Sequence, residues 1–450
     1  MLWVLPFVVF FAYYPVIRLG ENQAMNFELS VPLIWLMLFG VLSLFRIPRI
    51  WKKLGPKKLL ILGALPIFAT VSLLWSTNRV RGLLVAGVLD LLFLSGTNVL
   101  SLGWKAKEWG AFAKRHVVGG ACISVFCILQ CFLDVLGADR STTLLCQGCT
   151  YTTFGFPHPN GLAIEPQFMG NLLLAPAFLS LLFTYNAIKS RTGKGGCAAW
   201  VGLSFLIIMA LYLCFSRGAI YAFILSLIYL IIRSAIREKR RFISFMIFGG
   251  VSVAAFLGGL LLQGLLAEFS TTSEGFPQGV ARAIHHLSLG KIDLREQAEE
   301  KSETPKMQEE AVFNGYIEES TTVRLGLNEV AIEAWKQNPG RVFFGVGLGG
   351  AGVAINRQNR SYSAKEIIQN QYLSILLELG CLGLAAAVLT LGGAAIFAKQ
   401  KKADAVFWAL FLAYLISLCF FSGLPNVLHI YLLMPAWVGL GGRYKYGKIS

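Results

Sequence analysis

The sequence predicts an all-α polytopic membrane protein of about 12 transmembrane helices. Three observations carry that expectation. Hydrophobic residues fill 56% of the 450 positions and charged residues only 14%, where a soluble domain carries about 25% charged residues. Apolar runs recur along the chain, and about 20 such residues cross a bilayer as a helix. Lys and Arg gather in alternate short loops between those runs.

The expected spans fall at 2–19, 31–46, 58–75, 83–103, 117–137, 161–187, 197–215, 218–233, 242–266, 370–397, 404–423 and 425–441. Met1 to Arg18 has neither a basic leader nor a small-residue cleavage site, so it reads as the first span and not as a signal peptide. Six Lys/Arg lie in 46–58, four in 105–115, three in 189–194, five in 233–241, three in 399–402 and three in 443–448. The opposite loops hold Arg18, Arg79, Arg81, Arg140 and Arg217. The positive-inside rule places the first set, and with it both termini, in the cytoplasm. The net charge of +16 is then a topology signal. It calls for membrane lipids as partners and for no nucleic acid. Most of the nine cysteines lie within spans, where Cys acts as a small apolar residue. Cys146 and Cys149 fall in an outer loop, where a local disulfide or two lone thiols are both open; a metal site lacks its second ligand pair.

Residues 267–369 break the pattern, with 14 acidic and 11 basic residues. By topology this is one large extracytoplasmic loop between helices 9 and 10, and its length suits a small helical cap. It divides the chain into spans 1–9 (1–266), the cap (267–369), and spans 10–12 with the C-terminus (370–450). The stretch EEKSETPKMQEE (299–310) has the composition of a solvated segment. Further on, Leu327, Val330, Ala331, Ala334 and Trp335 share one helical face. Ser320 to Thr322 supply N-cap choices, and Asn338-Pro339-Gly340 ends the helix. In RVFFGVGLGG, Gly345, Gly347 and Gly350 satisfy G-x-G-x-x-G. A dinucleotide site needs a βαβ unit around such a motif. Without one, a glycine turn packed near the membrane is expected.

Polar groups collect at the outer ends of the spans. Arg217 sits in FSRGA between spans seven and eight. An Arg at a helix end can simply snorkel to the interface, but its planar guanidinium also suits phosphate. In FPHPNGLAIEPQF, Glu165 precedes Pro166, which favours the first helical turn. Glu165 is then either a helix cap or a partly desolvated general base. His158 and Asn160 precede it; a lone loop His is usually incidental. Gln369, Asn370 and Tyr372 form a polar edge before span ten, which an ordinary helix start would also produce, and Glu378 lies deeper. Arg79, Arg81 and Arg324 complete a basic outer set with Arg217. Such a rim suits a lipid-linked phosphate or pyrophosphate.

In these motifs the chain resembles the O-antigen ligase and polymerase family. LLWST (73–77), FPHPNGLAIEPQF (156–168), FSRGA (215–219), STTVRLGLNEVAIEAWKQNP with FFGVGLGG, and QNQYLSILLELGCLGL (369–384) occur in the family's order. The resemblance implies a multi-pass glycosyltransferase of the cytoplasmic (inner) membrane. It would use an undecaprenyl-pyrophosphate-linked glycan on the extracytoplasmic face, with a glycan or lipid acceptor and neither cofactor nor metal. It makes Arg217 and Arg324 candidates for pyrophosphate contact, with Arg79, Arg81, His158, Asn160, Asn370 and Tyr372 as further binding candidates. Glu165, Arg217 and Gln369 are the catalytic candidates. Ligases of the family carry His where this chain has Gln369, and Gln cannot act as a base near neutral pH. That favours a polymerase of lipid-linked repeat units, with Glu165 as base. A ligase, a lipid-linked glycan transporter or flippase, and a non-catalytic glycan-binding relative are the rival readings. The missing half-to-half repeat disfavours the transporter.

Overall fold

The computed structural model describes residues 1–22, 25–136, 158–190, 193–237, 245–269, 276–288, 291–292, 294, 323–400, 405–423 and 428–441. Cys146, Cys149, Arg140, the 299–310 stretch and the expected caps Ser320 to Thr322 lie outside these residues. The chain forms two compact units, Met1–Phe112 with Arg324–Ser450, and Ala113–Val323.

Among the described residues, seven helices are long and apolar enough to cross a membrane, or nine when each of two bent pairs is one span. Two shorter apolar helices, Ala405–Ser417 and Leu428–Gly439, follow near the C-terminus.

The first unit opens with a correction. The expected span 2–19 is helical only at Leu5–Val8 (α1) and then becomes a strand. Strands β1 (Val16–Asn22) and β2 (Met25–Ser30) pair antiparallel, with Arg18 opposite Glu28. The physical reason lies in the residues. Pro15 cannot sit inside a helix without breaking it. In the hairpin Arg18 Nε lies 3.6 Å from Glu28 Oε1, and the Tyr13 hydroxyl donates to Glu28 Oε2 at 2.9 Å.

The spans expected at 31–46 and 58–75 are both bent pairs. Helix α2 (Val31–Leu44) turns 78° into α3 (Ile47–Leu54), whose start carries Pro48. Helix α4 (Pro56–Leu62) meets Ala64–Leu74, which begins with α5 (Ala64–Val71), at 60°. Helices α6 (Arg79–Ser101) and α7 (Ala106–Val135) follow, and the boundary between the units falls within α7. The Asn98 amide of α6 donates to the buried Ser43 hydroxyl of α2 at 2.8 Å, which ties the two helices together through a buried polar contact.

The second unit is built on α8 (Pro166–Lys189). Every residue of its most apolar 18-residue window is buried. Helices α9 (Lys194–Leu213) and α10 (Arg217–Arg237) pack on it, as does a π turn at Met246–Gly250. Thr184 of α8 and Ser204 of α9 share a buried hydrogen bond of 2.9 Å. Helix α11 (Val251–Phe269) then receives α12 (Phe276–Leu287), where Gly264 and Gly279 leave room for close approach.

The rest of the first unit contains α13 (323–336), α14 (Pro339–Phe344), α15 (Ala351–Gln358), α16 (Gln371–Gln400), α17 (Ala405–Ser417) and α18 (Leu428–Gly441). The expected apolar face of α13 is observed: Leu327, Ala331 and Ala334 are buried in one cluster, with Val330 and Trp335 packed against it. Asn338 ends it as expected, and its side chain accepts from the Arg341 amide at 2.9 Å to start α14.

Candidate functional site

The candidate residues fall into two groups, one in each unit. The first gathers around a glycine-rich turn. Residues 345–350 run between the Ser72–Gly82 segment and a break in α16. The Val346 and Gly347 amides donate to the Leu377 and Glu378 carbonyls at 3.0 and 2.8 Å. Those carbonyls are free because Gly380, at φ 67°, interrupts the helix. On the other side, Thr77 N donates to Val346 O at 3.1 Å and Ser76 Oγ to Leu348 O at 2.7 Å. The Trp75 indole donates to Phe344 O at 3.1 Å. A Cβ on Gly347 would lie 2.2 Å from Ser76 Cα. The glycines therefore serve close backbone packing, as expected from the sequence, and among the described residues no βαβ unit surrounds the motif. Two of the motifs that carry the resemblance, LLWST and FFGVGLGG, are physically one structure.

Arg79 and Arg81 occupy the first turn of α6, which Asn78 caps through its Oδ1 to Arg81 N at 3.3 Å. Arg79 is exposed. Arg81 is half-buried and lines a cavity of about 70 Å³ with Glu366, Gln371, Ser374, Glu378 and Tyr431. The Glu378 carboxylate also accepts from the Ala351 amide at 3.4 Å. Arg324 is half-buried at the start of α13.

The polar edge before α16 is partly structural. Asn370 Oδ1 accepts from the Leu373 amide at 3.0 Å, a cap. The Tyr372 hydroxyl donates to the Leu415 carbonyl, 2.8 Å away near the end of α17. Gln369 is half-buried beside them.

In the second unit, the loop 158–165 leads into α8. Asn160 is fully buried and its amide is engaged on both sides. Its Nδ2 donates to Ala163 O at 2.9 Å, and its Oδ1 accepts from Gln130 Nε2 at 3.1 Å. Gln130 also accepts from the Gly161 amide at 2.8 Å. Asn160 thus shapes the loop. Replacing Gln130 with Ala strands these buried groups and is expected to destabilise the protein by roughly 2–3 kcal/mol. A lowered thermal unfolding midpoint of the purified protein checks it; an unchanged midpoint contradicts it.

Glu165 is the N-cap residue of α8 in extended conformation, with Pro166 in the first turn, as the sequence implied. Its side chain makes no capping hydrogen bond to the helix start. Arg217 is the first residue of α10 and half-buried. Phe215 ahead of it has φ 47°, and the Ser216 hydroxyl accepts from Ala219 N at 3.3 Å. Gly170 of α8 faces Ser216 and Ala219, so a Cβ there would lie 2.9 Å from Ser216 Cβ. This close contact fixes the start of α10 against α8.

Two residues missed at the sequence level join this group. His285 and His286 end α12, both buried. His286 Nε2 lies 3.3 Å from the Phe215 carbonyl, one residue from Ser216 and two from Arg217. Burial, and then the charges of Arg217 and His158, hold the His286 imidazole down to about 3. Burial alone pulls buried His158 down to about 4. Both rings are neutral at pH 7. The available signal was the spacing of Arg282, His285 and His286 at i, i+3 and i+4, one face of a short helix.

A helical membrane protein with basic side chains at the starts of several spans is the class that this fold and these residues define. Residues 202–388 match the model of a protein family described as O-Antigen ligase. The resemblance to the O-antigen ligase and polymerase family is thereby shown over that span, which contains Arg217, Arg324, Gln369, Asn370 and Tyr372. Members are glycosyltransferase-like enzymes of the ligase or polymerase type, acting on lipid-linked glycans in a membrane. No curated protein matches the chain.

Proposed function

We propose that the protein polymerises lipid-linked oligosaccharide repeat units, by glycosyl transfer from undecaprenyl pyrophosphate on the outer face of the cytoplasmic membrane. The observation that carries this reading is Arg217: a half-buried guanidinium at the first turn of α10, beside His158 and His286, within the matched family span. The extracytoplasmic cap at 267–369 and the cytoplasmic C-terminus are part of the same proposal.

An acceptor sugar hydroxyl attacks the anomeric carbon of the donor glycan. The new glycosidic C–O bond forms as the bond to pyrophosphate breaks, and undecaprenyl pyrophosphate departs. Arg217 stabilises the charge that grows on the leaving oxygen, and the resemblance makes Arg324 a further candidate for pyrophosphate contact. Glu165, at the start of α8, takes the hydroxyl proton. Gln369, with Asn370, orients the acceptor, since an amide has no basic lone pair. Arg79, Arg81, His158 and Tyr372 contribute to donor or glycan binding. The chemistry calls for no metal.

Glu165→Gln is expected to lower the rate about a hundredfold with little change in thermal stability. Wild-type rates in that variant would remove Glu165 from the mechanism. A ligase is the second reading, favoured by the description of the matched family. Incubation of the purified protein with the lipid-pyrophosphate repeat unit alone separates the two. A ladder of lengthening lipid-linked chains means a polymerase; transfer seen only after a different acceptor is added means a ligase.

A further inference from the structure

Helix α12 belongs to none of the motifs that carry the resemblance, yet its buried face is basic. Arg282, His285 and His286 are 9%, 7% and 5% exposed. They recur at i, i+3 and i+4, so they share one face. That face is not an apolar one with a stray charge. Ala281 and Ala283 are buried alongside, and Phe276 and Val280 reach towards Gly264 of α11. The helix is held from two sides. Gly279 seats against Ala267 of α11, and the Tyr221 hydroxyl of α10 donates to the Leu287 carbonyl at 2.7 Å.

Three elements bring basic groups to His286. Arg217 comes from the start of α10, His158 from the loop before α8, and His285 from α12 itself; Arg217 carries a permanent like charge, and an imidazole adds to it only when protonated. From α11, buried Gln263 is uncharged and Glu268 is exposed. The orientation of the ring is also fixed. A carbonyl only accepts, so His286 Nε2 carries the hydrogen towards Phe215 O and Nδ1 carries the lone pair. A proton arriving at Nδ1 would make a second charge-assisted donor.

We propose that this buried basic face, His286 and Arg282 of α12 with Arg217 and His158, is a phosphoryl-binding site that takes up a proton with its ligand. Convergent basic side chains from separate elements favour a multivalent anion over a neutral sugar, and Arg offers two parallel donors to phosphate. Burial first, and then the neighbouring like charges, keep the imidazole neutral; an anion placed between Arg217 and His286 opposes both, so the ring protonates as the anion binds. The proposal rests on the reading of Arg217 as the pyrophosphate contact and extends it to a helix with no assigned role.

The test is calorimetric titration of the detergent-purified full chain with inorganic pyrophosphate and, separately, with undecaprenyl pyrophosphate, near pH 6. Each is run in buffers of different ionisation enthalpy, which reports the protons taken up. Wild type should take up protons, and His286→Gln should abolish the uptake. His286→Gln and Arg282→Gln should each weaken binding by about tenfold or more. The unliganded unfolding midpoint of each variant separates lost binding from lost folding. Tighter binding of the lipid form supports the proposal and identifies the donor head group as the ligand; equal binding supports it with free pyrophosphate. Binding by wild type without proton uptake, or unaltered in both variants, overturns the proposal, and its loss in Arg217→Gln would leave the reading of Arg217 intact. No binding of either probe by wild type overturns both.

Discussion

Arg217→Ala is expected to lower glycosyl transfer by about a thousandfold, the scale on which one preorganised charge-stabilising donor acts. The guanidinium starts α10, and Ser216 caps that helix through its own hydroxyl. The cap therefore survives the substitution, and the loss should appear in turnover and not in folding. Arg217→Lys should recover only a minor part, because an ammonium cannot reproduce two parallel donors. The measurement is the rate of chain growth from the lipid-linked repeat unit, paired with the unfolding midpoint. Near-normal growth in Arg217→Ala would leave the arginine as an interfacial anchor and would remove the main support for the proposed chemistry.

Gly347→Ala should produce the largest structural effect. Gly347 has φ 84°, where an L side chain is strained, and its new Cβ would lie 2.2 Å from Ser76 Cα and 2.6 Å from Ser76 N. Both contacts are with backbone, so no side-chain rotation relieves them. A cost of about 3 kcal/mol or more is expected from strain and overpacking together. Gly392→Ala is the matched comparison. That glycine lies within α16 with nothing within 4 Å of its Cβ position. Ala there should be neutral or slightly stabilising. Equal unfolding midpoints in the two variants would contradict the account of the turn.

These two glycines show what the sequence makes legible. The motif around Gly347 could be read as a packed turn because nothing around it alternated strand and helix. Its partners could not be read, since LLWST lies more than 260 residues earlier and no local periodicity links the two. The face of α13 was legible because Leu327, Ala331 and Ala334 obey the helical period. The first expected span failed for a related reason: mean apolarity over 2–19 concealed Pro15 and a charge that pairs across a hairpin with Glu28. Glu165 and Arg217 stand out as candidates because each interrupts apolar sequence. His285 and His286 were missed because they end a short helix that reads as polar surface, and only its packing on α10 and α11 turns that surface inward. Asn160 reads from the sequence as a binding candidate, and its hydrogen bonds to Gln130 and Ala163 give it a loop-shaping role that no local pattern discloses.

The burial of α8 has a consequence for biogenesis. Of the seven long apolar helices it has the lowest hydropathy, 1.6, and its most apolar window has no exposed residue. Asn171, Ser180, Thr184 and Asn186 can be carried there because protein, not lipid, surrounds them. Yet α8 leaves the ribosome before α9 and α10, which will enclose it. During synthesis it must therefore wait, with its amides and hydroxyls facing hydrocarbon or the insertion machinery, until later helices arrive. The helix at the centre of the finished unit is the one least able to stand in the bilayer by itself.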